Sequence, residues 1–371
     1  MNFDALLAKM VEMKASDLFI TAGKPPCVKA HGKVTNLSDT VLTPDKSMEI
    51  VLGLMDEKQR DEFLVKKENN FAIQAEGLGR FRVSAFYQRS NVGAVLRRIE
   101  SEIPALEDLG VPQAINEFSM IKRGLVILVG ATGAGKSSTL AAMIGYRNRN
   151  STGHIITIED PIEFVHDHDG CIITQREVGI DTDSFEVALK NTLRQAPDII
   201  LVGEIRSQDT MEYAINFAET GHLCLATLHA NNANQALDRI VNFFPPDKQR
   251  QLWMDLSLNL KAIVAQQLIP KAKGTGRVPA VEILINTPII SEYIKKAEVD
   301  ALKEFMAKGR ELGMQTFDQA LFDLYESGLI TYEEALRNAE SVNDLRLKIK
   351  LNSKHKQPEQ EKSSFHNLDL V

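Results

Sequence analysis

The chain has 371 residues, 44% hydrophobic and 25% charged, which excludes collagen-like, coiled-coil and wholly disordered readings and leaves room for two or three domains. Its formal net charge of −7 gives no overall attraction for a polyanion, so no nucleic-acid partner is expected. Cys27, Cys171 and Cys224 are too few and too scattered for a disulfide framework or a zinc module, and they suit a reducing compartment.

The first predicted helix is Phe3 to Met13, where Phe3, Leu6, Leu7, Met10 and Val11 form one apolar face. The N-terminus has an acid at Asp4 and no long apolar core, so no export signal is expected. No apolar run approaches the ~18 residues of a membrane span. Both features point to a cytoplasmic protein that meets the membrane only through partners. Strands are predicted at Asp17–Thr21 and Cys27–Ala30, then two short helices from Thr43-Pro44 to about Lys67. Further strands follow at Phe71–Ala75, Arg80–Tyr87 and Val92–Ile99. Residues 1–100 thus read as a small α+β domain, and 101–112, with two prolines and three acids, as a linker.

Beyond it apolar strands alternate with helical stretches: Leu125–Val129, a helix from Lys136, His154–Glu159, a helix from Ser184, Asp198–Val202, a helix from Gln208, Leu223–Leu228 and a helix from Ala233. That alternation is the pattern of an α/β fold with a mostly parallel sheet, placed at 113–285. Residues 286–351 read as a C-terminal helical region, and 352–371 as a disordered tail ending in a short apolar patch, Phe365–Val371.

Gly130-Ala131-Thr132-Gly133-Ala134-Gly135-Lys136-Ser137 is a complete G-x-x-x-x-G-K-[ST] loop between a buried strand and a helix. Its glycines let backbone N–H groups curl around phosphates, and the helix N-terminus adds partial positive charge. Lys136 is expected to reach the β- and γ-phosphates, Ser137 to ligate Mg²⁺, and Ser138 to complete the nucleotide-binding set. The strand Asp198–Val202 leads to Gly203 and Glu204. Gly203 fills the usual Walker-B aspartate position, so Glu204 is the candidate to polarise the attacking water. Glu159, Asp160 and Glu163 crowd three carboxylates into five residues, which requires a cation among them, Mg²⁺ or an arginine, unless this is a plain acidic loop. His222 and His229 bracket one strand. About 23 Å separates strand positions seven residues apart, so both cannot touch one phosphate within a subunit. From Arg80 to Ile99 there are five arginines and no acid or lysine. They suit phosphate recognition across a domain or subunit boundary, or a solvated face.

Together, Gly130–Ser137, Ile158–His166, Leu193–Arg206 and Ala218–His229 resemble, in order and spacing, the Walker A, Asp-box, Walker B and His-box segments of the secretion-superfamily ATPases. Within them the chain is similar to the type IV pilus retraction ATPases, the PilT/PilU family. The resemblance implies a RecA-like P-loop ATPase core, an N-terminal PAS-like domain and a homo-hexameric ring that couples ATP hydrolysis to pilus retraction and twitching motility. It implies Glu204 as catalytic glutamate, Glu163 near metal or water, Glu159 and Asp160 at the metal, and His222, His229, Arg82 and Arg97 at the nucleotide. The implied partners are the inner-membrane platform protein of the pilus and a second retraction ATPase. The segment Thr287–Lys296 and the tail look more like the PilU members, which suggests an accessory motor. A pilus-assembly or type II secretion ATPase, and a nucleotide-gated interaction subunit with dispensable hydrolysis, are the alternatives. The lack of a paired-CxxC module and of extra N-terminal domains disfavours the assembly branch.

Overall fold

The computed structural model describes residues 3–30, 32–99 and 102–355. They form two compact units: one of residues up to 105, 119–124 and 137–226, the other of 106–118, 125–136 and 227 onward.

The first unit opens with α1 (Phe3–Glu12), which buries Leu6, Leu7 and Met10, the face its spacing predicts. Six antiparallel strands follow: β1 (Asp17–Thr21), β2 (Cys27–Ala30), β3 (Lys33–Asn36), β4 (Glu68–Ala75), β5 (Gly79–Gln88) and β6 (Asn91–Arg98), in the order β3-β2-β1-β6-β5-β4. Between β3 and β4 lie α2 (Pro44–Gly53) and α3 (Glu57–Lys66). Thr43 caps α2 by accepting from the Lys46 N–H, and Asp56 with Gln59 forms a capping box on α3. On β5, Phe81, Val83 and Ala85 are buried between partly exposed neighbours, the alternation read from the sequence. The sequence does not signal β3, because all four of its residues are exposed and no apolar alternation marks an edge strand.

The chain continues through α4 (Ala114–Ser119), β7 (Gly124–Val129), α5 (Lys136–Asn150), β8 (Gly153–Glu159), β9 (Cys171–Glu177), α6 (Phe185–Thr192), β10 (Ile199–Val202), α7 (Gln208–Glu219), β11 (Leu223–Leu228), α8 (Ala233–Asn242), α9 (Pro246–Asn259), β12 (Leu260–Pro270) and β13 (Arg277–Ile285). Within the first unit the strands run in the order β11-β10-β8-β9, and within the second in the order β13-β12-β7. β8, β9, β10 and β11 are mutually parallel, as is the β7–β12 pair; β13 runs antiparallel to β12. Every residue of β7, β10 and β11 is buried, which explains their unbroken apolar runs.

The C-terminal helices are α10 (Pro288–Lys295), α11 (Leu302–Lys308), α12 (Phe317–Glu326), α13 (Tyr332–Arg337) and α14 (Val342–Asn352). The first residues of the expected tail are tied to α12. Ser353 Oγ donates to Glu326 Oε2 at 2.7 Å, the Lys354 N–H donates to Glu326 Oε1 at 2.8 Å, and His355 Nε2 lies 2.7 Å from the Glu326 carbonyl oxygen. The rest of that tail, with the Phe365–Val371 patch, and the boundary at residues 100 and 101 lie outside the described residues.

Candidate active site

β7 delivers the chain into a loop with positive φ at Gly130, Gly133 and Gly135 (157°, 78° and 89°), a conformation that L side chains rarely adopt. A Cβ at Gly130 would stand 2.6 Å from the Gln266 carbonyl oxygen, and one at Gly135 2.7 Å from Gln266 Nε2. At Gly130 the obstacle is backbone, and at both places the positive φ strains any other residue. Ala131, Thr132 and Gly133 are exposed at the mouth of the loop, while Ala134 is buried beneath it. Lys136, the first residue of α5, is only 9% exposed. Its ammonium donates to the carbonyls of Gly130 (2.7 Å) and Ala131 (3.1 Å), which holds a positive charge inside the loop. Ser137 and Ser138 occupy the first turn of α5 and are half-buried.

β8 and β10 end side by side. The Gly203 N–H donates to the Ile158 carbonyl at 2.8 Å. A Cβ on Gly203 would meet that same oxygen at 2.8 Å and the Glu159 Cα at 3.0 Å. This close approach is the physical reason no aspartate stands at the usual position, and it leaves Glu204 as the acid at the strand end. Glu204 Oε2 accepts from Arg206 Nε at 2.6 Å, and Arg206 Nη1 donates to Asp160 Oδ2 at 3.3 Å. Arg206 is the cation the crowded carboxylates require.

Glu159 solves the crowding in a second way. Burial pushes its carboxyl up to about 7, against the opposing effect of hydrogen bonds from Thr157 Oγ1 (2.7 Å) and Gln175 Nε2 (3.2 Å). The nearby Glu163 carboxylate, itself exposed, adds to that rise. Glu159 and Asp160 are therefore engaged with protein groups, and among the described residues no cluster of three acidic, histidine or cysteine side chains is set to hold a metal.

His222 and His229 stand at opposite ends of β11, as the spacing required. His222 Nδ1 lies 3.0 Å from Thr220 Oγ1 and 3.1 Å from the Phe217 carbonyl, closing the end of α7. His229 instead follows the C-terminal end of β11. It lines a cavity of about 420 Å³ with Ala131 of the glycine loop and Asn231, Gln235, Asp238 and Arg239. The structure thus brings His229 to the loop and leaves His222 in a structural contact.

Arg82 and Arg97 are cross-strand partners. Arg97 Nε donates to Asp17 Oδ1 at 2.9 Å, and Arg82 Nε lies 3.8 Å from Glu177 Oε1 at the end of β9. Glu177 is 1% exposed, and burial raises its pKa while Arg82 and Arg80 oppose the rise. Sequence reasoning assigned no role to Arg206, Gln175, Glu177 or Arg239. The one available signal was the need for a cation near Asp160, which Arg206, two residues after Glu204, could meet.

Residues 2–357 match the family model described as type II/IV secretion system protein. The chain belongs to this family. It is 64% identical to the type IV pilus ATPase PilU of Pseudomonas aeruginosa over 95% of this chain and 92% of that one. To the type IV pilus retraction ATPase PilT of the same organism it is 42% identical, over 91% and 98%. A solved structure of the pilus retraction motor PilT with bound ADP superposes with a TM-score of 0.87 at 41% identity, covering 94% of this chain and 99% of that one. The fold expectation, an α/β chain with a P-loop ATPase core, agrees with these family relationships.

Proposed function

We propose that this protein is an ATPase of the type IV pilus retraction machinery that converts ATP hydrolysis into pilus retraction and twitching motility. The observation that carries the reading is the glycine loop with Lys136 folded into it, in a chain 64% identical to a type IV pilus ATPase. The loop's N–H groups bind the phosphates, and Lys136 exchanges its two carbonyl partners for phosphate oxygens. Ser137 is the residue that would hold Mg²⁺, which when bound would supply positive charge beside the phosphates. Glu204 orients the attacking water and takes its proton. Glu163, exposed beside Glu159, is the second acid available to that water. Arg82 is the arginine of the N-terminal sheet left to complement phosphate charge, since Arg97 is held by Asp17, and His229 senses the phosphate side of the loop.

The working assembly is a homo-hexamer acting on an inner-membrane platform protein. No helix among the described residues is long and apolar enough to cross a membrane, so attachment through partners fits the reading. The P. aeruginosa relatives include both a PilU and a PilT. The greater identity to PilU supports a role beside a second retraction ATPase. The domain plan is an N-terminal PAS-like domain (1–100), a linker (101–112), a RecA-like core (113–285) and a C-terminal helical region (286–351).

The test is steady-state ATPase activity of the purified protein and of Lys136→Ala, together with deletion of the gene. The reading expects Mg²⁺-dependent hydrolysis that Lys136→Ala abolishes while the fold survives, and cells that keep pili but move poorly. Unchanged hydrolysis in Lys136→Ala would overturn the site. Cells without pili would instead indicate assembly.

A further inference from the structure

Arg206 stands where two strand ends meet. β10 ends at Val202, Gly203 packs against the end of β8, and the chain turns through Glu204 and Ile205 to Arg206 before Ser207 caps α7. The backbone of Arg206 is fixed there. Its N–H donates to Thr210 Oγ1 at 3.2 Å, and Thr210 is the far partner of the Ser207 capping box. From this anchored position the guanidinium reaches two carboxylates on different strand ends, Glu204 through Nε at 2.6 Å and Asp160 through Nη1 at 3.3 Å. A planar fork does this with divergent donors held in a fixed geometry.

Stability does not account for the arrangement. The Arg206 side chain is 54% exposed, with Glu204 at 17% and Asp160 at 33%, and such solvent-screened pairs contribute on the order of 1 kcal/mol. Geometry does account for it. A glutamate side chain has three rotatable bonds, and a base must be held to within a fraction of an ångström to act on a water. The 2.6 Å contact takes one Glu204 oxygen, and the second contact ties the same guanidinium to the end of β8.

We propose that Arg206 is a positioning residue for Glu204: it fixes the carboxylate against Asp160 so that the base is aimed before nucleotide arrives. The inference rests on the reading of Glu204 as the base. It names no new contact with nucleotide.

The test compares Arg206→Ala, Arg206→Lys and Glu204→Gln in the full-length protein, by steady-state kinetics, affinity for a fluorescent ATP analogue and single-turnover hydrolysis. Arg206→Ala is expected to lower kcat roughly 10- to 100-fold, with KM and analogue affinity within about threefold of wild type. Arg206→Lys should recover only part of the loss, since an ammonium on a flexible stem lacks the rigid divergent fork that orients both acids. Adding Arg206→Ala to Glu204→Gln should lower the single-turnover rate less than twofold further, because the two changes act through one group. A kcat within twofold of wild type for Arg206→Ala, in a protein that Glu204→Gln inactivates, would overturn the inference alone. So would a tenfold loss of analogue affinity, or effects that multiply in the double variant. Wild-type turnover in Glu204→Gln would overturn the reading of Glu204 and the inference with it.

Discussion

Arg82 and Arg97 face each other across β5 and β6, yet their guanidiniums meet different carboxylates. Arg97 is held by Asp17, its register partner on β1, and Arg82 stands against Glu177 of β9. Asp17 is 5% exposed, so Arg97→Ala would leave a buried carboxylate with Ser16 Oγ (2.7 Å) as its remaining side-chain donor. That loss should cost on the order of 1–2 kcal/mol and lower the melting temperature. Arg82→Ala should do less to stability, because its 3.8 Å contact is too long for a hydrogen bond. If Arg82 serves the nucleotide, its variant should instead lose turnover. Thermal melts and ATPase rates of the two variants separate the roles; a destabilised Arg82→Ala with normal turnover would reverse them.

Gly203 is a packing requirement. Gly203→Ala puts a methyl 2.8 Å from the Ile158 carbonyl, and backbone on both strands must shift. The expected cost is about 1–3 kcal/mol, with reduced turnover because Glu204 follows directly. Denaturant unfolding and ATPase assays check both. A variant as stable and active as wild type would remove the explanation for the missing aspartate.

Glu282 supplies a pH prediction away from the nucleotide. This β13 residue is 1% exposed, accepts from the Ala233 N–H at the start of α8 at 2.8 Å, and is also hydrogen-bonded by the backbone of Phe317 at the start of α12. Burial raises its pKa from 4.5 to about 7, and Glu340 adds to the rise, while the two backbone N–H groups and Lys303 oppose it. The folded protein therefore binds this proton more tightly than the unfolded chain. Stability falls as pH climbs from about 4.5 to about 7 and levels off above. The contribution is on the order of 3 kcal/mol. Glu282→Gln should flatten it, so the melting temperature of the variant should drop several degrees less than that of wild type between pH 5 and pH 8. Equal drops would contradict the assignment.

What the sequence could show was local. The buried strands β7, β10 and β11 and the starts of α7 and α8 could be read from runs, caps and periodicity, because those signals lie within a few residues. The glycine loop was legible for the same reason. The β12–β13 hairpin was not: a long apolar stretch broken by Gln266 and Gln267 has no clean period, and both strands are mostly buried. The contacts that organise the candidate site were also hidden. Arg206–Asp160 spans 46 residues and Ala233–Glu282 spans 49, and nothing in a single sequence pairs side chains at that distance. The two histidines show the middle case. Strand length alone separated them, but only the structure decides that His229 joins Ala131 around a cavity while His222 closes α7.

The central claim, that hydrolysis at this site drives retraction, is tested most directly by counting surface pili in cells carrying Glu204→Gln in place of the wild-type residue. The substitution keeps size and hydrogen bonding but cannot accept a proton, so ATP should bind while turnover falls about 10²–10⁴-fold. The account predicts pili in excess of wild type. A wild-type pilus number in those cells, with the variant confirmed inactive in vitro, would contradict it.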